Sequence, residues 1–215
     1  MLKIKACSGV WPLFLLVFYL CEFIYFAFNP YSRVIWITEN SISLLIVAAL
    51  IVLYCRKVRF SNTAYTLMAL YICLHTVGGH YTFERVPFGA VTEFFGFERN
   101  NFDRVCHFMV GFFAYPSVEY FESRQLIKYR SLNIFLMIMA IFGVAGLFEL
   151  VEWIYAELAA PEAGSAFLGS QGDIWDAQKD MLSDGLGAIF STSLYALLNY
   201  KKQSGQSESA GSFYD

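Results

Sequence analysis

The sequence has little charge and none of the short signatures that mark a soluble catalytic or redox domain. Only 15% of its 215 residues are Asp, Glu, Lys or Arg, while 57% are hydrophobic and 19% aromatic. A soluble domain usually carries about 25% charged residues, so this composition excludes an ordinary water-soluble fold. There is no Cys-x-x-Cys or Cys-x-x-His pair. Cys7, Cys21, Cys55, Cys73 and Cys106 lie far apart, which excludes a zinc ribbon and a disulfide framework and leaves them as small, polarizable packing residues. The chain contains no HExxH. The glycines of "GSAFLGSQGD" lack GxGxxG or P-loop spacing and follow no strand pattern, so they indicate no phosphate-binding loop. A net charge of −3 with no basic stripe argues against nucleic acid as a partner. At the amino terminus, Lys3 and Lys5 precede a run too long for a signal-peptide core, and no small-x-small cleavage site follows. The first run is therefore read as a retained span.

What the chain has instead is long apolar runs, several approaching the ~20 residues that cross a bilayer. Six stand out, at 11–28, 34–54, 64–78, 102–120, 132–153 and 174–200. The fourth and sixth are weaker, because charged residues enter their first turns. They predict an all-α, polytopic membrane protein whose partner is the lipid bilayer, with one transmembrane domain over 1–202 and a disordered cytoplasmic tail over 203–215. The aromatic, mixed-charge segment 79–101 is expected to lie on the interface or re-enter it. Lys and Arg counts set the orientation. Lys3, Lys5, Arg56, Lys57, Arg59, Arg124, Lys128, Arg130, Lys201 and Lys202 fall on one side, ten against the five on the other, Arg33, Arg85, Arg99, Arg104 and Lys179. That alternation places both termini in the cytoplasm.

Polar residues inside these runs mark a candidate site. Asp173, Asp176, Asp180 and Asp184 project at about 0°, 300°, 340° and 20° on a helix, one stripe. Gly187 and Ser191 continue that face, which lets another helix approach closely. Trp175 and Leu182 point away. Asn100, Asp103, His107 and Gly111 fall within about 80° of one another. Glu149 and Glu152 stand one turn apart in the fifth span, and His75 and His80 lie at the end of the third, where Gly78-Gly79 is expected to break the helix. The six-span topology brings all of these to the extracytoplasmic half of the membrane, with Glu22 as a further candidate.

Seven carboxylates (Asp103, Glu149, Glu152, Asp173, Asp176, Asp180, Asp184) then face four cations, Arg85, Arg99, Arg104 and Lys179. A charged residue at the bilayer centre costs about 2.5–3.5 kcal/mol on insertion scales, so metal, shared protons or water must neutralise the excess. Imidazoles with carboxylates suit a divalent zinc, manganese or iron. The candidate metal ligands are His75, His80, Asp103, His107, Asp173, Asp176 and Asp180. Glu149, Glu152 and Asp184 are candidate catalytic groups, a general base among them. Metal-dependent hydrolysis of a lipid or envelope substrate, proton- or cation-coupled transport, and a structural polar plug all remain open. Asp173 also fits as an N-cap of the last span with Asp176 at N3, and Glu119 and Glu122 fit as surface ion pairs beside the basic loop.

The strings "HYTFERVPFG", "RNNFDRVCHFMVGF", "FELVEW" and "LGSQGDIWDAQKDMLSDGLGA" together resemble the YjdF-like family of bacterial inner-membrane proteins over nearly the whole chain. The resemblance implies a multi-pass inner-membrane protein and no particular activity. In the last span alone, "DAQKDMLSDGLGA" looks like the Asp-x3-Asp-x3-Asn-x2-Gly pattern of VanZ-like proteins, with Asp184 standing where Asn is usual.

Overall fold

A long apolar segment must satisfy its own backbone N–H and C=O groups, and the α-helix does so within one segment. The computed structural model, which describes residues 9–158 and 170–200, shows only helices and turns among those residues. In chain order these are α1 (Val10–Ala27), α2 (Arg33–Cys55), α3 (Asn62–Tyr81), a short α4 (Gly89–Phe95), α5 (Phe102–Val110), a 3-10 turn (Gly111–Phe113), α6 (Ala114–Ser123), α7 (Arg130–Leu158) and α8 (Asp176–Leu198). The expected tail 203–215 lies outside the described residues, as do Lys3, Lys5, Lys201 and Lys202.

Four helices are long and apolar enough to cross a membrane: α1, α2, α7 and α8. The first two and α7 turn Val17, Phe18, Leu45, Val144 and Leu147 outward, the surface of a protein whose solvent is hydrocarbon. The remaining two expected spans correspond to α3 and to the stack of α5, the 3-10 turn and α6. These are less apolar because they are interior. Helix α3 packs against α1, α2 and α5, while α8 packs against α5, α6 and α7. Ser61 caps α3 by accepting from the Ala64 amide at 3.2 Å.

Three local departures from the sequence expectation have identifiable causes. Gly78 and Gly79 do not end α3, which runs on to Tyr81. A Cβ on Gly79 would meet the Asn40 side chain at 2.9 Å and Glu39 Cβ at 3.1 Å, so this glycine admits α2 rather than breaking the helix. The fourth expected span is interrupted by the 3-10 turn. Pro116 lacks an N–H and its ring crowds the carbonyl of Phe112, which tightens that turn. Glu119 does not lie at the surface. It is buried, and its carboxylate accepts from the Ser61 amide and hydroxyl, both at 2.6 Å. Glu122 does pair with a cation, Arg130, at 2.5 Å and also accepts from Tyr195 Oη at 2.7 Å.

Contacts between ends define two poles. At one, Trp11 Nε1 donates to Thr66 Oγ1 at 3.0 Å and Arg130 donates to the Asn199 carbonyl at 3.4 Å. At the other, Tyr31 N donates to the His80 carbonyl and Arg99 donates to the Ser170 carbonyl, both at 3.0 Å. Successive long helices therefore alternate in direction. Beyond the last turn of α3, segment 79–101 holds only the seven-residue α4, about 10 Å long, too short for a ~30 Å hydrocarbon core. Phe94 and Phe95 on it are exposed.

Candidate functional site

The site forms where α5 and α8 touch. A Cβ on Gly187 would overlap the Phe108 carbonyl oxygen, and one on Gly111 would overlap the backbone of Asp184, Gly187 and Ala188. Bare α-carbons on both helices thus allow backbone-to-backbone contact, and Ser191 Oγ donates to the Gly111 carbonyl at 2.9 Å. That contact sets the aspartate stripe of α8 beside Asp103 and His107 of α5.

The acidic residues separate into two groups. Near the mouth, Asp173 lies in the turn before α8, and its Oδ1 accepts from the Trp175 amide at 3.1 Å. It is not the N-cap, a position held by Trp175, and Asp176 is the first helical residue rather than N3. Asp173 Oδ2 accepts from Lys179 Nζ at 2.6 Å and Arg104 Nη2 at 3.0 Å. Asp176 Oδ1 pairs with Arg99 Nη1 and accepts from Arg104 Nη2 at 2.6 Å. Asn100 and Gln171 exchange two further hydrogen bonds across the same mouth, at 3.1 and 2.9 Å. The Lys179 hydrogen bond, aided by the Trp175 amide, holds the Asp173 carboxyl down at about 2. This rim is an ion-pair network in which two carboxylates face three cations.

Deeper in, cations are scarce. Asp180 is 3% exposed and Asp184 1%. Oδ1 of each has no hydrogen-bond partner, and the nearest cation to Asp180 Oδ1 is Arg104 Nε at 3.5 Å. His107 Nδ1 lies 3.1 Å from Asp184 Oδ2, and its Nε2 lies 3.8 Å from Asp103 Oδ1. Asp103, His107 and Asp180 each offer one ligand atom, all within 4.8 Å of one another. A divalent metal binding N and O ligands at about 2.0–2.2 Å needs a gathering of this kind. The carboxylate on the other imidazole nitrogen supplies the outer partner that metal-binding histidines usually have.

Asp103 and His107 of this cluster border a cavity of about 400 Å³. Glu39 of α2, His75 of α3 and Glu152 of α7 join Asp103, His107 and Asp184 in its wall, and among the described residues no Lys or Arg lines it. His75 Nδ1 is 3.1 Å from Ser43 Oγ and its Nε2 is 3.6 Å from Glu39 Oε2. The structure does not bring every candidate here. His80 Nδ1 is held by the Phe26 carbonyl at 2.8 Å, against the end of α1. Arg85 pairs with Glu84 and covers the Tyr31 ring. Neither Glu22 nor Glu149 lines the cavity, although each keeps a buried carboxylate oxygen without a partner. Glu39 is the residue sequence reasoning missed. Its signal, a carboxylate in "TENS" within the apolar run 34–54, is the same kind that marks Asp180.

Comparison with known proteins finds a matching family and a curated relative. A family described as "Predicted membrane protein (DUF2238)" matches residues 11–201. The inner membrane protein YjdF of Escherichia coli (strain K12) is 33% identical over 168 residues, covering 77% of this chain and 79% of the relative. No solved structure matches.

Proposed function

Since the chain belongs to the DUF2238 family of membrane proteins, we propose that it is a six-span bacterial inner-membrane protein that binds a divalent transition metal through Asp103, His107 and Asp180. The observation that carries this reading is the joint placement of His107 between Asp184 and the two other ligand groups. The alternating helix directions and the ten-to-five Lys and Arg asymmetry support both termini in the cytoplasm and the site in the extracytoplasmic half. The relative's description as an inner membrane protein supports the location. Carboxylate and imidazole donors without thiolate favour zinc, manganese or iron(II).

Such a metal supplies Lewis acidity and an activated water. The protein's own groups have separable roles. Asp184 positions His107 through Nδ1. Glu152 faces the cavity and is placed to accept a proton from a molecule bound there, whereas Glu149 is not part of its wall. Arg99, Arg104 and Lys179 hold the rim. This division suits hydrolysis of a molecule drawn from the membrane or envelope.

Metal analysis of protein extracted in mild detergent tests the reading. Roughly one equivalent of a transition metal is expected, lost in Asp180→Asn and His107→Ala while cooperative thermal unfolding persists. Folded wild-type protein that holds no metal and takes up none on titration would overturn it.

A further inference from the structure

The cavity has a polarity gradient and a side opening. On α2, Ile35, Glu39, Ile42 and Ile46 form one stripe along it, and α7 contributes a facing stripe from Met137 through Val144 to Glu152. The acidic and imidazole wall groups Glu39, His75, Asp103, His107, Glu152 and Asp184 gather toward one end. The other end is bounded by Ile46, Tyr71, Val110, Phe113, Met137 and Ile141. Helix α2 packs on α3, and α7 packs on α6 and α8, but α2 and α7 share no comparable packing with each other. The gap between them is flanked by exposed Val144 and Ala140 on α7, on helices apolar enough to stand in a bilayer. At the mouth, by contrast, Arg99, Arg104, Asp173 and Asp176 are tied together. Entry sideways from lipid is open where entry past the rim is crossed by ion pairs.

We infer that this groove receives an oxyanion-headed lipid laterally between α2 and α7, its acyl chain along the Ile46–Val110–Met137 stretch and its head at Asp103 and His107. The inference rests on the metal reading above, because a bare wall of carboxylates repels an anionic head and only a bound cation reverses that preference. Length agrees. Met137 to Glu152 covers about 22 Å of helix, more than the ~15 Å half-thickness of a hydrocarbon core. A volume of about 400 Å³ falls within the roughly 300–1,000 Å³ of small-molecule sites. The groove holds one chain with its polar end at the metal ligands.

Photolabelling tests this with the full-length protein in phosphatidylcholine vesicles, using a diazirine fatty acid and the matching diazirine fatty amine. In metal-loaded protein, the acid should label peptides holding Ile46, Val110 and Met137 above the level on the outward face of α1 at Val17 and Phe18. Ala140→Trp, and separately Ile46→Trp, should abolish that excess while keeping the metal. Asp180→Asn should lose the metal and the excess acid labelling together. Labelling no higher in the groove than on α1, or unchanged by both Trp variants, overturns the lipid inference even if metal analysis of the same samples shows bound metal. A fatty amine that outcompetes the acid in loaded protein overturns the oxyanion assignment. Absence of metal from the wild-type samples is the separate failure of the underlying reading.

Discussion

At the scale of single residues, position in the cluster separates groups that look alike in the sequence. Asp184 touches the imidazole rather than offering itself to the shared ligand position, so Asp184→Asn should keep the fold and weaken metal binding by about 10–100-fold, the usual effect of losing such an outer carboxylate. Competition titration with a metal-sensitive dye measures it, and an unchanged affinity would remove Asp184 from the positioning role. Glu119, far from the site, takes the Ser61 amide and hydroxyl. Glu119→Ala should therefore lower stability by about 1 kcal/mol or more, as loss of a helix-start partner does, with metal content intact. The grouping of Asp103 with His107, and of Asp180 with Asp184, was legible from helical spacing alone. His80 was not, because what captures it is the Phe26 carbonyl at the end of α1, a partner with no side-chain signature. Glu39 was legible in principle, since a carboxylate within an apolar run demands a reason wherever it occurs.

Whole elements obey rules that no single residue carries. The contact of α5 with α8 is made by absent side chains, so Gly187→Ala should cost roughly 1–3 kcal/mol through forced separation of the helices. The same substitution should loosen metal binding, since the ligands come from both helices. An equal loss of stability with undisturbed metal affinity would mean that the contact does not set the ligand spacing. The rim before α8 carries a pH dependence. An unfolded Asp titrates near 3.9, and Asp173 is depressed to about 2. A depressed carboxyl stabilises the fold above about pH 4 and loses that contribution as pH falls through about 2. The thermal midpoint should drop across that acid range, less steeply in Lys179→Met. The approximate limits of the long helices could be read from run length, and the aspartate stripe from its period. The 3-10 turn at 111–113 could not, because its cause, Pro116, acts backward on a carbonyl inside an otherwise continuous apolar pattern.

On the scale of the whole molecule, the alternation of helices and the placement of basic loops make a joint topological prediction. In a background without native cysteines, Glu98→Cys should react with a membrane-impermeant maleimide on intact cells, and Lys128→Cys only after permeabilisation. The opposite pattern would reverse the protein in the membrane and carry the metal site to the cytoplasmic half. Architecture class was plain from composition. The cavity was invisible there, because it arises from how separate helices pack, which composition does not record. One further consequence concerns biogenesis. Arg99 and Arg104 find their aspartates, and Gly111 its facing backbone, only in residues 173–191, some seventy positions later in translation. A ribosome that has emitted the chain as far as α7 has therefore released α5 with its basic start and its acidic and imidazole groups unmatched. That stretch must wait, shielded by the insertion machinery or held at the membrane surface, until α8 emerges to dock with it. Chains truncated before Asp176 should accordingly be degraded rather than accumulate, however apolar their earlier helices are.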